Sequence, residues 1–177
     1  MNDHQHTAQT GESTTPVGLQ PMTFALAALV VVADQVTKAL VRAFIPLHDS
    51  HTVIPGLLDL THVQNTGAAF GILSAANFPF KQALIAVIAT VALISIAIYA
   101  ARLSPHQKLA RLGLALILGG AAGNLIDRVT AGWVVDFVDV YWKDYHFWAF
   151  NVADAAITVG VVGMMLDMLG IGSRAHP

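Results

Sequence analysis

The sequence QALIAVIATVALISIAIYAA, residues 82 to 101, contains no charged side chain. Because about 20 helical residues cross a hydrocarbon core of about 30 Å, this stretch is predicted to be a transmembrane helix. Residues 109 to 127 are apolar until their polar end. Two further apolar stretches, about 22 to 44 and 150 to 171, include a few charged residues. The sequence therefore predicts a helical membrane protein with four spans.

The composition of the whole chain is also that of a membrane protein. Of its 177 residues, 55% are hydrophobic and 11% are charged, whereas a soluble domain has about 25% charged residues. The net charge of -2 provides no basic surface, so we expect no nucleic-acid partner. The chain has no cysteine, which excludes disulfide bonds, thiolate metal sites and a cysteine nucleophile.

One membrane domain and two short tails account for the chain. Residues 1 to 21 are polar and contain no Lys or Arg, so we expect a disordered tail. Residues 173 to 177 form a C-terminal tail, which leaves a single domain over residues 22 to 172.

The number of spans determines the predicted topology. An even number places both termini on one side and the 45 to 81 and 128 to 149 connections on the other. Arg102, Lys108 and Arg111 lie at the turn between the second and third spans, with Arg111 in the first turn of the third. By the positive-inside rule this turn, and with it the termini, is predicted to be cytoplasmic.

The two connections on the opposite side differ in character. The 45 to 81 connection mixes β-forming and turn residues, so a small extracytoplasmic β-rich element is predicted there. The last connection is crowded with aromatic side chains, as the interfacial belts of membrane proteins are. These are Trp133, Tyr141, Trp142, Tyr145, Phe147, Trp148 and Phe150.

Two aspartates are predicted to meet at one membrane surface. Asp136 lies just outside the third span and Asp154 just inside the fourth. Two carboxylates held close together share one proton, which leaves one base to activate water and one acid to protonate a leaving group. Their spacing alone favours a structural alternative, in which they are cap, loop or first-turn residues. Asp139 and Asp144 are interpreted as turn or cap residues.

Other polar residues lie at helical spacing. Asn124, Asp127 and Arg128 share one helix face, either beside the aspartates or as a self-paired helix end. Asp34 and Lys38 have the i, i+4 spacing of an ion pair within the first span. An ionisable residue in a membrane span is also a candidate functional residue.

Several glycines are interpreted structurally. Gly119 and Gly123 have the GxxxG spacing that allows transmembrane helices to approach closely. Asn65, Gly67 and Gly71 indicate a turn with close backbone approach.

Other functional classes have less support. The sequence contains neither the HExxH of zinc proteases nor the GxSxG of serine hydrolases. A serine–lysine pair is not excluded by motif, but no serine accompanies the polar clusters. A proton-coupled transporter also uses membrane carboxylates, although here both aspartates lie at one face. A presenilin-type protease lacks its GxGD signature, and a purely structural protein would tolerate loss of either aspartate.

Five ordered motifs resemble those of the lipoprotein signal peptidases, also called signal peptidase II, over residues 34 to 166. They are ADQVTK (33 to 38), QNTGAAFGIL (64 to 73), GNLIDR (123 to 128), VVDFVDV (134 to 140) and FNVADAAITVG (150 to 160). The resemblance implies a multi-pass aspartyl endopeptidase of the bacterial inner membrane, with four transmembrane helices and an extracytoplasmic β-cradle. It implies catalysis by Asp136 and Asp154 without a metal or other cofactor.

The resemblance also implies the substrate and the supporting residues. The substrate is a diacylglyceryl-modified prolipoprotein, cut on the N-terminal side of its lipidated cysteine, near the extracytoplasmic surface. Membrane phospholipid is a second partner, and we expect a monomer. The other motif residues support the dyad or bind substrate; they are Asp34, Lys38, Asn65, Gly67, Asn124, Asp127, Arg128 and Asn151. Family members often carry a hydroxyl residue after the second aspartate, where this chain has Ala155, so catalysis does not require one there.

Overall fold

The protein is described by a computed structural model over residues 21 to 67, 78 to 103 and 107 to 170. These residues form four α-helices and a four-stranded sheet. Of the predicted N-terminal tail only Pro21 is described, and it begins the first helix. The predicted C-terminal tail lies outside the described residues.

The four helices correspond to the four predicted spans. They are α1 (Pro21–Phe44), α2 (Lys81–Arg102), α3 (Lys108–Thr130) and α4 (Val152–Met168). Within the described residues, α1, α2 and α3 are long and apolar enough to cross a membrane. The 17 residues of α4 extend about 26 Å, short of a core of about 30 Å. The predicted end of the fourth span, residue 171, lies outside the described residues.

Close approach to α3 organises the helices. A Cβ atom on Gly119 would lie 2.6 Å from the carbonyl oxygen of Ala27 in α1, and one on Gly123 would lie 2.6 Å from Oδ2 of Asp34. On another face of α3, a Cβ on Gly120 would overlap the carbonyl of Ala153 in α4. The prediction that Gly119 and Gly123 serve helix packing is confirmed.

An antiparallel sheet in the order β1-β2-β3-β4 joins the two connections. β1 (Ser50–Ile54) and β2 (Leu58–Asn65) arise from the first connection, which confirms the β-rich element predicted there. β3 (Val134–Trp142) and β4 (Tyr145–His146) arise from the aromatic connection, for which no strand was predicted. The predicted β element was therefore incomplete.

The beginning of β3 is packed against the helices. Val135 and Phe137 are buried in a cluster with Val41 and Ile45, at the end of α1. β2 pairs with the same part of β3, with Val63 opposite Asp136. The strand that carries Asp136 is thus held between the sheet and the helix ends.

Candidate active site

Asp136 is buried in β3, with 3% of its surface exposed. Its Oδ1 accepts a hydrogen bond of 2.7 Å from Nδ2 of Asn151, and its Oδ2 accepts one of 3.0 Å from Nδ2 of Asn65. Each carboxylate oxygen therefore has its own amide donor, and the orientation of the group is fixed. Asn65 reaches this position because it ends β2, next to β3.

Asp154 lies in the first turn of α4 and has two roles in the structure. Its Oδ1 accepts a hydrogen bond of 2.8 Å from Nδ2 of Asn124 in α3. It also forms a capping box with Asn151, whose side chain accepts from the Asp154 amide at 2.9 Å, while Oδ2 of Asp154 accepts from the Asn151 amide at 3.3 Å. The helix-start interpretation of Asp154 is therefore confirmed, and it coexists with a polar contact across the helices.

Asn151 connects the two carboxylates. Its side-chain Nδ2 donates to Asp136, whereas its backbone N–H donates to Asp154. Nδ2 of Asn151 also lies 3.2 Å from Oδ1 of Asn124, and Nδ2 of Asn124 contacts Asp154. The structure thus brings Asp136, from a strand, and Asp154, from a helix, to one shared asparagine, Asn151.

The environment of Asp136 changes its proton affinity. Burial, together with the negative charge of Asp154, raises the pKa of Asp136 from 3.8 to about 6, against the opposing hydrogen bonds from Asn65 and Asn151. A carboxyl group whose pKa lies closer to neutrality is suited to proton transfer. The same shift indicates that Asp136 is placed at some cost to stability.

This cost predicts a pH dependence of stability. Because the folded state binds the Asp136 proton more tightly than the unfolded state, the stability from this group is complete below pH 3.8 and is lost as pH rises through about 6. A shift of about two pKa units corresponds to about 3 kcal/mol at most. We expect thermal unfolding of purified wild type in detergent to show this loss relative to Asp136→Asn, which lacks the titrating group. Parallel pH profiles for the two proteins would contradict the assignment.

A buried ionic cluster lies beside the two carboxylates. Lys38, which is fully buried, donates to Oδ2 of Asp34 at 2.8 Å and lies 2.9 Å from Oδ2 of Asp127. It also donates to Oδ1 of Asn124 at 2.9 Å. The predicted Asp34–Lys38 pair is confirmed, and it joins α1 to α3. Because Lys38 occupies Oδ1 of Asn124, the amide nitrogen of Asn124 is turned toward Asp154.

Asp34 and Asp127 extend this cluster to the backbone. Oδ1 of Asp34 accepts from the amide of Ala153, next to Asp154, at 3.0 Å. Oδ2 of Asp127 accepts from the amide of Val135, next to Asp136, at 3.4 Å. The two buried carboxylates therefore position the segments that carry the candidate catalytic pair.

Two members of the ionic cluster were not predicted from the sequence. Arg42 lies 3.0 Å from Asp127, and Nε2 of Gln35 lies within 3.3 Å of both Asp34 and Asp127. Arg42 follows Lys38 by four residues on the same helix face, and this spacing was the signal for it. With Arg42 included, the cluster contains two aspartates and two cations, so its charges balance.

Arg128 holds the turn that follows β2. Its guanidinium donates to the carbonyls of Gly67 at 3.1 Å and Asn124 at 3.2 Å. The Gly67 amide donates to Oδ1 of Asn65 at 2.9 Å, which fixes the amide that faces Asp136. The predicted turn at Asn65 and Gly67 is confirmed, whereas Gly71 lies outside the described residues.

The remaining aspartates of the aromatic connection lie apart from this site. Asp144 lies in the turn between β3 and β4, as predicted. Asp139 lies within β3 and contacts Nδ1 of His146 at 2.7 Å, so its interpretation as a turn or cap residue was wrong. Asp136 and Asp139 are three residues apart in VVDFVDVYW, so polar and apolar side chains do not alternate strictly along this strand.

Comparisons with known proteins agree with this architecture. A family model described as signal peptidase (SPase) II matches residues 26–170. The lipoprotein signal peptidase of Geobacter metallireducens is 49% identical over 142 residues, which are 80% of this chain and 86% of that protein. That of Ectopseudomonas mendocina is 42% identical over 144 residues, covering 81% and 85%.

A solved structure is similar to the fold as well. A bacterial membrane enzyme determined by the in meso method at 1.9 Å resolution is 31% identical, with a TM-score of 0.76, over 84% of this chain and 93% of that one. Since the family model and relatives above 40% identity cover most of the sequence, the chain belongs to the signal peptidase II family.

Proposed function

We propose that this protein is an aspartyl endopeptidase that removes the signal peptide from diacylglyceryl-modified prolipoproteins, cutting on the N-terminal side of the lipidated cysteine. The observation that carries the proposal is the pair of Asp136 and Asp154, held by Asn151 and Asn124 where the sheet meets the helices. Family membership supports a protease that acts on prolipoproteins. The buried carboxylate pair supports acid–base chemistry as its means.

In the proposed reaction the two aspartates share one proton. The ionised carboxylate accepts a proton from water while the water oxygen attacks the scissile carbonyl carbon. The protonated carboxyl group donates its proton to the carbonyl oxygen, which gives a tetrahedral diol. The carboxyl group that took the water proton then protonates the leaving nitrogen, and the other carboxylate takes a proton back from the diol as the C–N bond breaks, so the pair again holds one proton. The raised pKa of Asp136 supports a pair that retains one proton to a higher pH than a free carboxyl group does.

The placement of the pair suits a substrate anchored in lipid. Asp154 lies in the first turn of α4, and Asp136 lies in the strand adjacent to the end of α1. A lipidated cysteine whose acyl chains remain in the bilayer would present its peptide bond at this level. Binding of the anchor and the signal helix then orients the bond for attack, as an effect of proximity.

The proposal includes the predicted membrane arrangement. One domain over residues 22 to 172 spans the inner membrane of a bacterium four times as a monomer, with cytoplasmic termini and the dyad near the extracytoplasmic surface. The three long helices support it. The position of α4, which packs closely along α3 through Gly113, Gly120 and Gly160, supports it as the fourth span.

The substrate claim is tested with purified wild type. We expect cleavage of a diacylglyceryl-modified prolipoprotein and none of the same polypeptide without the lipid, because the anchor supplies the positioning. The released signal peptide is followed on a gel, and mass spectrometry identifies the cut bond. Equal cleavage of both forms would contradict the lipid requirement. If the folded protein cleaves neither, proton flux in liposomes tests the transporter alternative.

A further inference from the structure

Both turns of the sheet point away from the candidate active site. In the β2–β3 pair, Asn65 lies opposite Val134 at the end near the helices, and Leu58 lies opposite Val140 at the other end. The β1–β2 turn and the β3–β4 turn therefore share this second end. Along β2 it lies about 24 Å from Asn65, at about 3.4 Å per residue. We call residues 53 to 57 and 142 to 148 the distal tip.

Large apolar side chains cover the distal tip. Seven of them are at least 43% exposed: Val53, Ile54, Leu57, Trp142, Tyr145, Phe147 and Trp148. The two turns form one surface, because the Tyr141 amide donates to the carbonyl of Leu57 at 2.9 Å and the Gly56 amide donates to the Tyr141 hydroxyl at 3.1 Å. An exposed apolar patch of this kind indicates an interaction surface.

The position of the sheet determines which surface meets this tip. β3 begins four residues after α3 ends at Thr130. Residues 147 to 150 return along β3, and Phe150, which is hydrogen-bonded to Val138, lies two residues before α4 begins. Short connections at both ends hold the base of the sheet at the ends of membrane helices. If the sheet stood upright, the distal tip would be in water. If the sheet lies along the bilayer, the tip meets lipid.

The chemistry of the tip matches the interfacial region of a bilayer. Trp and Tyr are enriched at membrane–water interfaces, where an apolar ring is buried and a polar N–H or O–H remains hydrated. The exposed charges of Lys143 and Asp144 in the β3–β4 turn restrict the tip to the headgroup level. We propose that the distal tip is a second membrane-binding surface, which lays the sheet along the bilayer that α1, α2 and α3 enter. This inference does not depend on the peptidase activity.

Tryptophan quenching tests the proposal directly. The chain has three tryptophans, so variants that retain only Trp142 or only Trp148, with the other two changed to Phe, each report one position. The full chain is placed in phospholipid nanodiscs, and emission is measured with acyl-brominated lipid and with aqueous acrylamide. We expect brominated lipid to reduce the emission of Trp142 and Trp148 more than acrylamide does. Strong acrylamide quenching with no lipid quenching would overturn the proposal.

Two controls separate lipid from other occupants and from misfolding. The variant that retains only Trp133 reports a partly buried side chain packed against the α1 cluster, and its emission should change if folding is disturbed. Nanodiscs with one chain each exclude a second copy as the covering surface. Two results together would assign the tip to self-association instead. Brominated lipid would not quench the emission with one chain per disc, and the tryptophans would be protected from acrylamide only at several chains per disc.

Discussion

Asp136→Asn and Asp154→Asn are each expected to lower the rate of prolipoprotein cleavage on the order of 10³-fold, the scale of acid–base catalysis by a positioned side chain. Asparagine has nearly the same shape as aspartate but neither accepts a proton from water nor donates one to a leaving nitrogen. Either substitution therefore leaves half of a pair whose two members act in one reaction. Initial rates at saturating substrate measure the effect.

The structure provides a matched control for this loss. Asp139 lies on the same strand as Asp136 but contacts His146, whereas Asp136 contacts Asn65 and Asn151. Asp139→Asn should therefore retain wild-type cleavage within a small factor. Thermal unfolding of each variant distinguishes loss of chemistry from loss of folding.

The double variant distinguishes a catalytic pair from two independent contributions. Because residues that act as a unit have non-additive effects, Asp136→Asn/Asp154→Asn should be about as slow as either single variant. A double variant slowed by the product of the two single effects would argue for separate roles. Wild-type cleavage by either single variant, when folded, would remove that residue from the mechanism.

Local composition predicted the helices well, and long-range pairing limited what else was predictable. The predicted span, residues 82 to 101, differs from α2 by one residue at each end, because hydropathy is a property of the segment itself. In VVDFVDVYW, apolar and aromatic side chains suit an interfacial segment and a strand equally. What makes it a strand is pairing with β2, and the Asn65–Asp136 contact that results joins residues 71 apart.

The site was predictable in its residue types and less so in its connections. The resemblance pointed to Asp34, Lys38 and Asn124, but spacing along one helix did not indicate that Lys38 contacts Asn124 86 residues away. That contact requires α1 to approach α3 at Gly119 and Gly123. The GxxxG spacing indicated close packing without naming the partner helix.

Lys38→Met is expected to destabilise the protein by about 3 to 5 kcal/mol, the effect of removing one partner of a buried ion pair. Lys38 is the buried cation between Asp34 and Asp127. Without it, the ion pair that Asp127 keeps among the described residues is the one with Arg42, which is 40% exposed. Methionine fills similar space without charge. Denaturant unfolding in mixed micelles measures the change, with Lys108→Met, an exposed lysine at the beginning of α3, as the control.

A second substitution separates charge balance from site geometry. In Asp34→Asn/Lys38→Met the charges of Asp127 and Arg42 balance again, so we expect this double variant to be more stable than Lys38→Met alone. The rate at which it cleaves substrate should remain low, because Oδ1 of Asn124 loses its contact with Lys38 and keeps the weaker one with Asn151, so the amide that contacts Asp154 is held less firmly. Additive loss of stability would show that Lys38 acts by packing alone. Wild-type cleavage by the stabilised double variant would show that the cluster supports the fold but does not position the catalytic pair.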